Sequence, residues 1–338
     1  MRFVLGYAIA ILARPALPYS LNLNEFLSDN AADTRISKFV RLTKAAKNGV
    51  ITAGRRVGQT ASLLGRPHHA IRLRRIVTTA SGRGHAIRRP RAALKYLGDY
   101  LSLRLARSER FGSIRYHYRF LEDKIPHVAI DRGIAIWRSL DDEGRTHDVI
   151  LQPSIMAPME GEAELCFRVD GEWLFTLSFS IVDGAMIGGD GAAAFVGGIQ
   201  GAYFARERVR YAARKNDEIA PPTLLLLAVD ALADALGIAT IAGTSNDAHV
   251  SSARSVDGRT STFDYDTMWR RSGGIADGRG HFRLPVGDPA DDGDIAGTHR
   301  ARTRRRRKKR ADLRAVMLGG ITAAFGSGNA AAPDRTPI

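Results

Sequence analysis

The clearest periodicity lies in the middle of the chain. Leu165, Phe167 and Val169 alternate with other residues, Asp170-Gly171 follows, and Trp173, Phe175, Leu177, Phe179 and Ile181 resume the alternation. A period of two on either side of Asp-Gly predicts a β-hairpin with a type I′ turn. Thr176, Ser178 and Ser180 give the second strand a small, polar opposite face. Earlier strands are predicted at 134–138 and 148–152.

Further on, residues 194–202 read as a glycine-rich strand and 203–220 as a long loop carrying Arg206, Arg208, Arg210, Arg214 and Lys215. Pro221-Pro222-Thr223 opens a helix, where proline is tolerated in the first turn and threonine can cap. The run 224–236 is apolar almost all round apart from Asp230 and Asp234, the pattern of a helix buried against a sheet. Gly237 ends it, and 238–242 is the next strand. Residues 195–246 thus form a strand–loop–helix–strand unit, whose crossover is expected to be right-handed. A short helix near 264–271 and an edge strand at 281–284, closed by Pro285, complete this part.

Upstream, Leu94, Leu97, Leu101 and Leu105 predict a helix over 92–107, and a second is predicted near 114–122 before Ile125-Pro126. Residues 20–60 read as irregular helix. Residues 61–90, with Gly65, Pro67, Gly82, Gly84 and Pro90 among arginines, read as a loop or linker. The expected organisation is a basic, partly helical or disordered extension over 1–90 and a domain over 91–285. A Gly/Asp-rich linker over 286–299, a basic helix over 300–325 and a disordered tail over 326–338 follow. The fold class is α+β, with a mixed, mostly antiparallel sheet around the central strand–helix–strand unit.

Composition agrees with a folded core, since 44% of the 338 residues are hydrophobic. Charge adds a direction. The net charge is +15, with eleven Lys or Arg against the single acid Asp99 between Ile51 and Tyr100, and eight basic residues among the nine from Arg302 to Arg310. Such a surplus favours an anionic membrane surface, a phosphorylated ligand or, less readily, nucleic acid. The bland alternative is a pair of solvated segments from an arginine-rich genome. The 302–310 run has no interleaved aromatics, which argues against stacking on single strands. Cys166 is the only cysteine, so no intramolecular disulfide forms, as suits a reducing compartment. The apolar run 3–12 after Arg2 is too short to span a bilayer and resembles a weak signal segment without a clean cleavage site. The expected location is the cytoplasm, with peripheral contact to the inner membrane.

Catalytic motifs are sparse. Gly189-Asp190-Gly191-Ala192-Ala193-Ala194 has dinucleotide-fingerprint spacing, but a strand rather than a helix follows it, so a plain turn is the better reading. Gly243-Thr244-Ser245-Asn246-Asp247 sits at a strand end like a nucleophile elbow, yet lacks the second glycine. No P-loop occurs, and the nine histidines show no metal-ligand spacing.

Several segments, in order, resemble the VirK/YbjX family of bacterial proteins. They are Arg115-Tyr116-His117-Tyr118 with Phe120-Leu121, Leu177-Ser178-Phe179, and Gly197-Gly198-Ile199-Gln200-Gly201. Leu236-Gly237-Ile238, Gly243-Thr244-Ser245-Asn246 with His249-Val250, Tyr265-Asp266 with Trp269, and Phe282-Arg283-Leu284-Pro285 continue the series. The similarity spans about 89–324. It implies a part in virulence, tolerance of antimicrobial peptides or envelope stress, and it supplies no catalytic residues. By analogy of element order alone, the chain is also similar to GNAT-type N-acyltransferases. That analogy implies an acyl-CoA donor, with Gln200 and Gly201 bordering the acyl carbonyl and Arg208, Arg210 and Arg214 on the pyrophosphate. Asn246 and His249 would lie near the acceptor amine, and His249 or Tyr265 would relay its proton. Pro221-Pro222 stands where the pyrophosphate loop would want glycine, which counts against CoA. The alternative is a non-catalytic envelope protein whose helix 300–318 and basic linker contact anionic membrane. No metal site is expected.

Overall fold

The computed structural model describes Gly65 and residues 67–80, 92–124, 133–252, 263–287 and 300–326. The chain divides into two compact units, one of residues 1–75 with 256–258, the other of 76–255 with 259–338. The expectations for 1–60, for most of the 286–299 linker and for the tail lie outside the described residues. Helix α1 (Pro67–Ala80) runs through the segment expected to be a loop. Proline at its first position, no internal glycine, and Ala70, Leu73 and Val77 at helical spacing account for the difference.

The larger unit is built on one eight-stranded sheet in the order β1-β2-β3-β4-β5-β6-β8-β7. Its strands are β1 (Ile134–Leu140), β2 (Thr146–Pro153), β3 (Ala163–Val169), β4 (Glu172–Asp183), β5 (Ala192–Gly201), β6 (Thr240–Thr244), β7 (Ile275–Ala276) and β8 (His281–Pro285). Among the described strands only β5 and β6 pair in parallel, so the fold is α+β with a mixed, mostly antiparallel sheet. The Asp170-Gly171 hairpin forms as the alternation predicts, with both residues at positive φ, 52° and 78°.

Among the described residues, five helices accompany the sheet in this unit: α2 (Arg107–Lys124), α3 (Arg206–Lys215), α4 (Pro221–Ala235), α5 (Tyr265–Arg271) and α6 (Arg300–Gly326). Leu177, Phe179 and Ile181 of β4 join one hydrophobic core with Leu224, Leu225, Ala228 and Leu232 of α4 and Met317 and Ile321 of α6. At about 25 cal/mol per Å² of apolar surface, such a core is the main stabilising term. The polar positions face the other way and are buried too. Ser180 meets the Tyr100 hydroxyl at 2.9 Å, and the His117 ring of α2 accepts the Ile181 N–H at 3.0 Å. Helix α6 is therefore half core and half surface. Arg314 bridges Asp230 and Asp234 of α4, and a side chain at Gly320 would meet the Ile136 carbonyl at 2.4 Å.

Four local expectations need correction. The segment 203–220 is not a loop, because α3 occupies 206–215, turning Ala212 inward and Arg206, Arg210 and Arg214 outward at a period near four. The helix expected over 92–107 is only a 3-10 turn at Ala92–Leu97. Gly98-Asp99 interrupts it, and Leu101 takes φ 63° to donate its N–H to the Met159 carbonyl. The N-cap of α4 is Ala220, not Thr223. Strand β8 is not an edge strand, since the two-residue β7 covers it.

Candidate functional site

The parallel pairing of β5 with β6 runs only from Ala193 opposite Thr240 to Val196 opposite Gly243. Directly beyond it β5 bulges. Ser178 pairs with Gly198 and Phe179 with Val196, leaving Gly197 unpaired. The two strands then part, which frees backbone donors and acceptors along the downstream half of β5. In open sheets, the ends of parallel strands where connections diverge are where ligands bind.

Helix α5 fills the gap. Tyr265 and Trp269 are four residues apart and so share a helix face. The Tyr265 hydroxyl accepts the Ile199 N–H at 3.0 Å and lies 3.2 Å from the Ile199 carbonyl. The Trp269 indole donates to the Thr244 carbonyl at 2.9 Å, and its ring packs so closely on Gly243 that a Cβ there would sit 1.8 Å from it. Each splayed strand thus spends freed backbone groups on one aromatic of α5. Asp264 caps the helix by accepting from Thr267, and the hydrogen bonds from Thr267 and Asn246 hold its carboxyl down to about 2. Asn246 ties the same end. Its side-chain oxygen accepts the Tyr265 N–H at 2.8 Å and its amide donates to Asp264 at 3.0 Å.

Around the Tyr265 hydroxyl lies a cluster of polar groups. His249 Nε2 is 3.1 Å from that hydroxyl and 3.5 Å from Glu160 Oε1. The Ser251 N–H donates to His249 Nδ1 at 3.2 Å, so the neutral ring carries its proton on Nε2. Gln200 donates to Glu160 Oε1 at 2.7 Å. Among the described residues, Glu160 Oε2 has no hydrogen-bond partner although the atom is buried. It presses on Gly198, where a Cβ would come within 1.7 Å, while the Glu160 carbonyl excludes a side chain at Gly197. The Gly197-Gly198 pair is therefore required by the segment that carries Glu160. Glu160, His249 and Tyr265 are all buried, whereas Gln200 is half-buried and Gly201 exposed, so the lip of the cluster faces solvent at the end of β5.

The structure thus brings together His249, Tyr265, Asn246 and Gln200, with Gly201 at the rim. It sets Arg208, Arg210 and Arg214 apart from them on α3, with Arg208 ion-paired to Glu172. Pro221 and Pro222 occupy the first turn of α4 and remove two N–H donors, so that helix end does not fit a pyrophosphate. Glu160 went unnoticed in sequence reasoning. Its one signal is the Glu160-Gly161-Glu162 triplet, which places two carboxylates just before a buried strand.

A second arrangement is closed. Ser102 Oγ lies 2.9 Å from His281 Nε2, and His281 Nδ1 lies 3.4 Å from Asp277. Burial, with Arg279 nearby, lowers the His281 pKa, and Ser102 has no exposed surface, so this trio serves packing. Among the described residues, no cluster of His, Cys, Asp or Glu is placed to hold a metal ion, and no helix is long and apolar enough to cross a membrane.

No curated protein matches the chain, and no solved structure does. The family model described as Protein of unknown function (DUF535) matches residues 62–314, which adds α1 to the similar region and ends it inside α6. With well over half of its length matched, the chain belongs to the DUF535 family of proteins of unknown function, which contains VirK and YbjX.

Proposed function

We propose that the gap between β5 and β6 is the centre of an acyl transfer to an amine, in the manner of the GNAT-type enzymes whose element order the chain resembles. The observation that carries this reading is the chain Glu160–His249–Tyr265 at the point where a parallel strand pair opens. Such a chain suits general base catalysis. As the amine nitrogen bonds to the acyl carbon, its proton passes to the Glu160 carboxylate, whose Oε1 the His249 Nε2–H faces at 3.5 Å, and the leaving group departs with the acyl carbon's old bonding pair. Gln200 holds the Glu160 carboxylate in place, and Asn246 is a positioning residue that fixes the start of α5. The setting implied by VirK/YbjX, envelope stress and peptide tolerance, agrees with an envelope amine as acceptor.

An acyl donor lying along β5 would need the Ile199 backbone groups that Tyr265 now occupies, so binding requires α5 to yield. The test is titration calorimetry of the full chain with acetyl-CoA and longer acyl-CoAs, repeated with Tyr265→Phe. Binding that tightens when the phenol is removed supports the reading. No heat with any donor at millimolar concentration overturns it.

A further inference from the structure

Directly after β5 the chain turns outward. Tyr203 is 88% exposed and Phe204 is fully exposed. Phe204 also has φ 57°, a left-handed conformation that costs a phenylalanine of order 1 kcal/mol. A large apolar ring held in water on a strained backbone is unfavourable on both counts unless something covers it.

The helix that follows supplies charge. Arg206, Arg210 and Arg214 recur every four residues on the outer face of α3, all exposed, and none has an acidic partner among the described residues. This contrasts with Arg208 and Lys215 on the same helix, which pair with Glu172 and with Asp142 and Glu143. Asp217, just past its end, pairs with Lys309 of α6, whose first turns carry the exposed Arg304, Arg305 and Arg306. One turn further along, burial and, after it, the neighbouring Arg306 depress the Arg310 pKa.

We infer that Tyr203 and Phe204, with the arginine stripe of α3 and the start of α6, form a face that docks on an anionic lipid surface. The two rings would seat at the headgroup boundary and the guanidiniums on lipid phosphates. Charge complementarity argues for an anionic occupant, and the adjacent exposed rings argue for one with an apolar interior. A nucleic acid would need a groove that tracks its backbone, whereas the stripe runs along the convex side of a helix. The lip at Gln200 and Gly201 lies at the same strand end, so docking would bring the candidate site to the membrane.

Flotation of the full chain with phosphatidylcholine vesicles, with and without phosphatidylglycerol, tests this. The chain should float with the anionic vesicles alone, and added salt should weaken binding. Arg206, Arg210 and Arg214 changed together to Gln should lower the partition roughly a hundred-fold. Tyr203→Ser with Phe204→Gly should lower it about ten-fold. Glycine adopts the φ of position 204 without strain, so this variant keeps its fold, as an unchanged circular dichroism melt would verify. Absence of flotation with anionic vesicles overturns the inference, as does flotation that neither set of changes reduces. Binding to a single-stranded oligonucleotide that displaces the vesicles through the same residues also overturns it. None of these readouts involves an acyl donor.

Discussion

Glu160 and Glu162 sit two residues apart on one segment, both buried, and are treated in opposite ways. Glu162 Oε1 receives the Lys95 ammonium at 3.0 Å and its Oε2 the Tyr118 hydroxyl at 2.8 Å, so each oxygen is satisfied. Burial alone would raise its pKa, but Lys95, and after it His117, outweigh burial and lower it. Its charge in turn adds to burial in driving the Tyr100 phenol well up. Glu160 has one oxygen bonded to Gln200 and the other, among the described residues, without a hydrogen-bond partner. A fully satisfied buried network fixes a structure, and a half-satisfied one costs free energy. The same segment thus satisfies one carboxylate fully and leaves the other open, and that contrast is what supports the proposal of a site at Glu160.

The sharpest way to break this contrast is to remove the cation under Glu162. Lys95→Met leaves a buried carboxylate without its charge partner and should cost about 3–5 kcal/mol in urea unfolding. The double change with Glu162→Gln should recover most of that loss. If Lys95→Met costs under about 1 kcal/mol, the two glutamates are not different in kind.

A smaller effect is expected at Gly198. Its Cβ would meet Glu160 Oε2, so Gly198→Ala should destabilise by about 1–3 kcal/mol. In a Glu160→Ala background the same change should cost less, with a coupling above about 1 kcal/mol. Additive costs would show that the glycine is required by something other than Glu160.

Acid unfolding refines the contrast by sign. The folded pKa of Glu162 lies below its unfolded value of 4.5. Its contribution is therefore complete above that value and is lost as pH falls through the folded pKa. The urea midpoint of the wild type should drop more between neutral pH and strong acid than that of Glu162→Gln. Equal drops would mean that Glu162 titrates as it does in the unfolded chain.

The division between these two sites is poorly legible in the sequence, and the reason is physical. The sheet was legible because the period-two runs of β3 and β4 and the Asp-Gly turn are local signals, as is the apolar run of α4 closed by Gly237. His249 and Tyr265 could be named from the resemblance, but what joins them could not. Their meeting depends on the break in pairing after Val196 and Gly243, on the bulge at Gly197 and on α5 turning two aromatics into the gap. None of these leaves a local mark. Helix α3 was missed because five basic residues in ten look like a solvated loop, although Val209 and Ala212 hold the inward face. Glu160 carries no periodic signal at all, since its partners lie 40 and 89 positions away, at Gln200 and His249.

The smallest expected effect on stability is the one that decides most. Glu160→Gln keeps the shape and keeps an oxygen to accept from Gln200, while its new amide nitrogen replaces an oxygen that already lacks a partner. One orphan is exchanged for another, so stability should change by under about 1 kcal/mol in either direction. Acyl transfer to an amine should fall by about a hundred-fold or more, because a carboxamide cannot take the proton. Circular dichroism melting and an acyl-transfer assay on the same preparation read the two quantities together. A variant that keeps both its stability and its transfer rate would reduce Glu160 to an unpaired structural acid. One that loses several kcal/mol would place it with Glu162, and the difference between the two carboxylates would vanish.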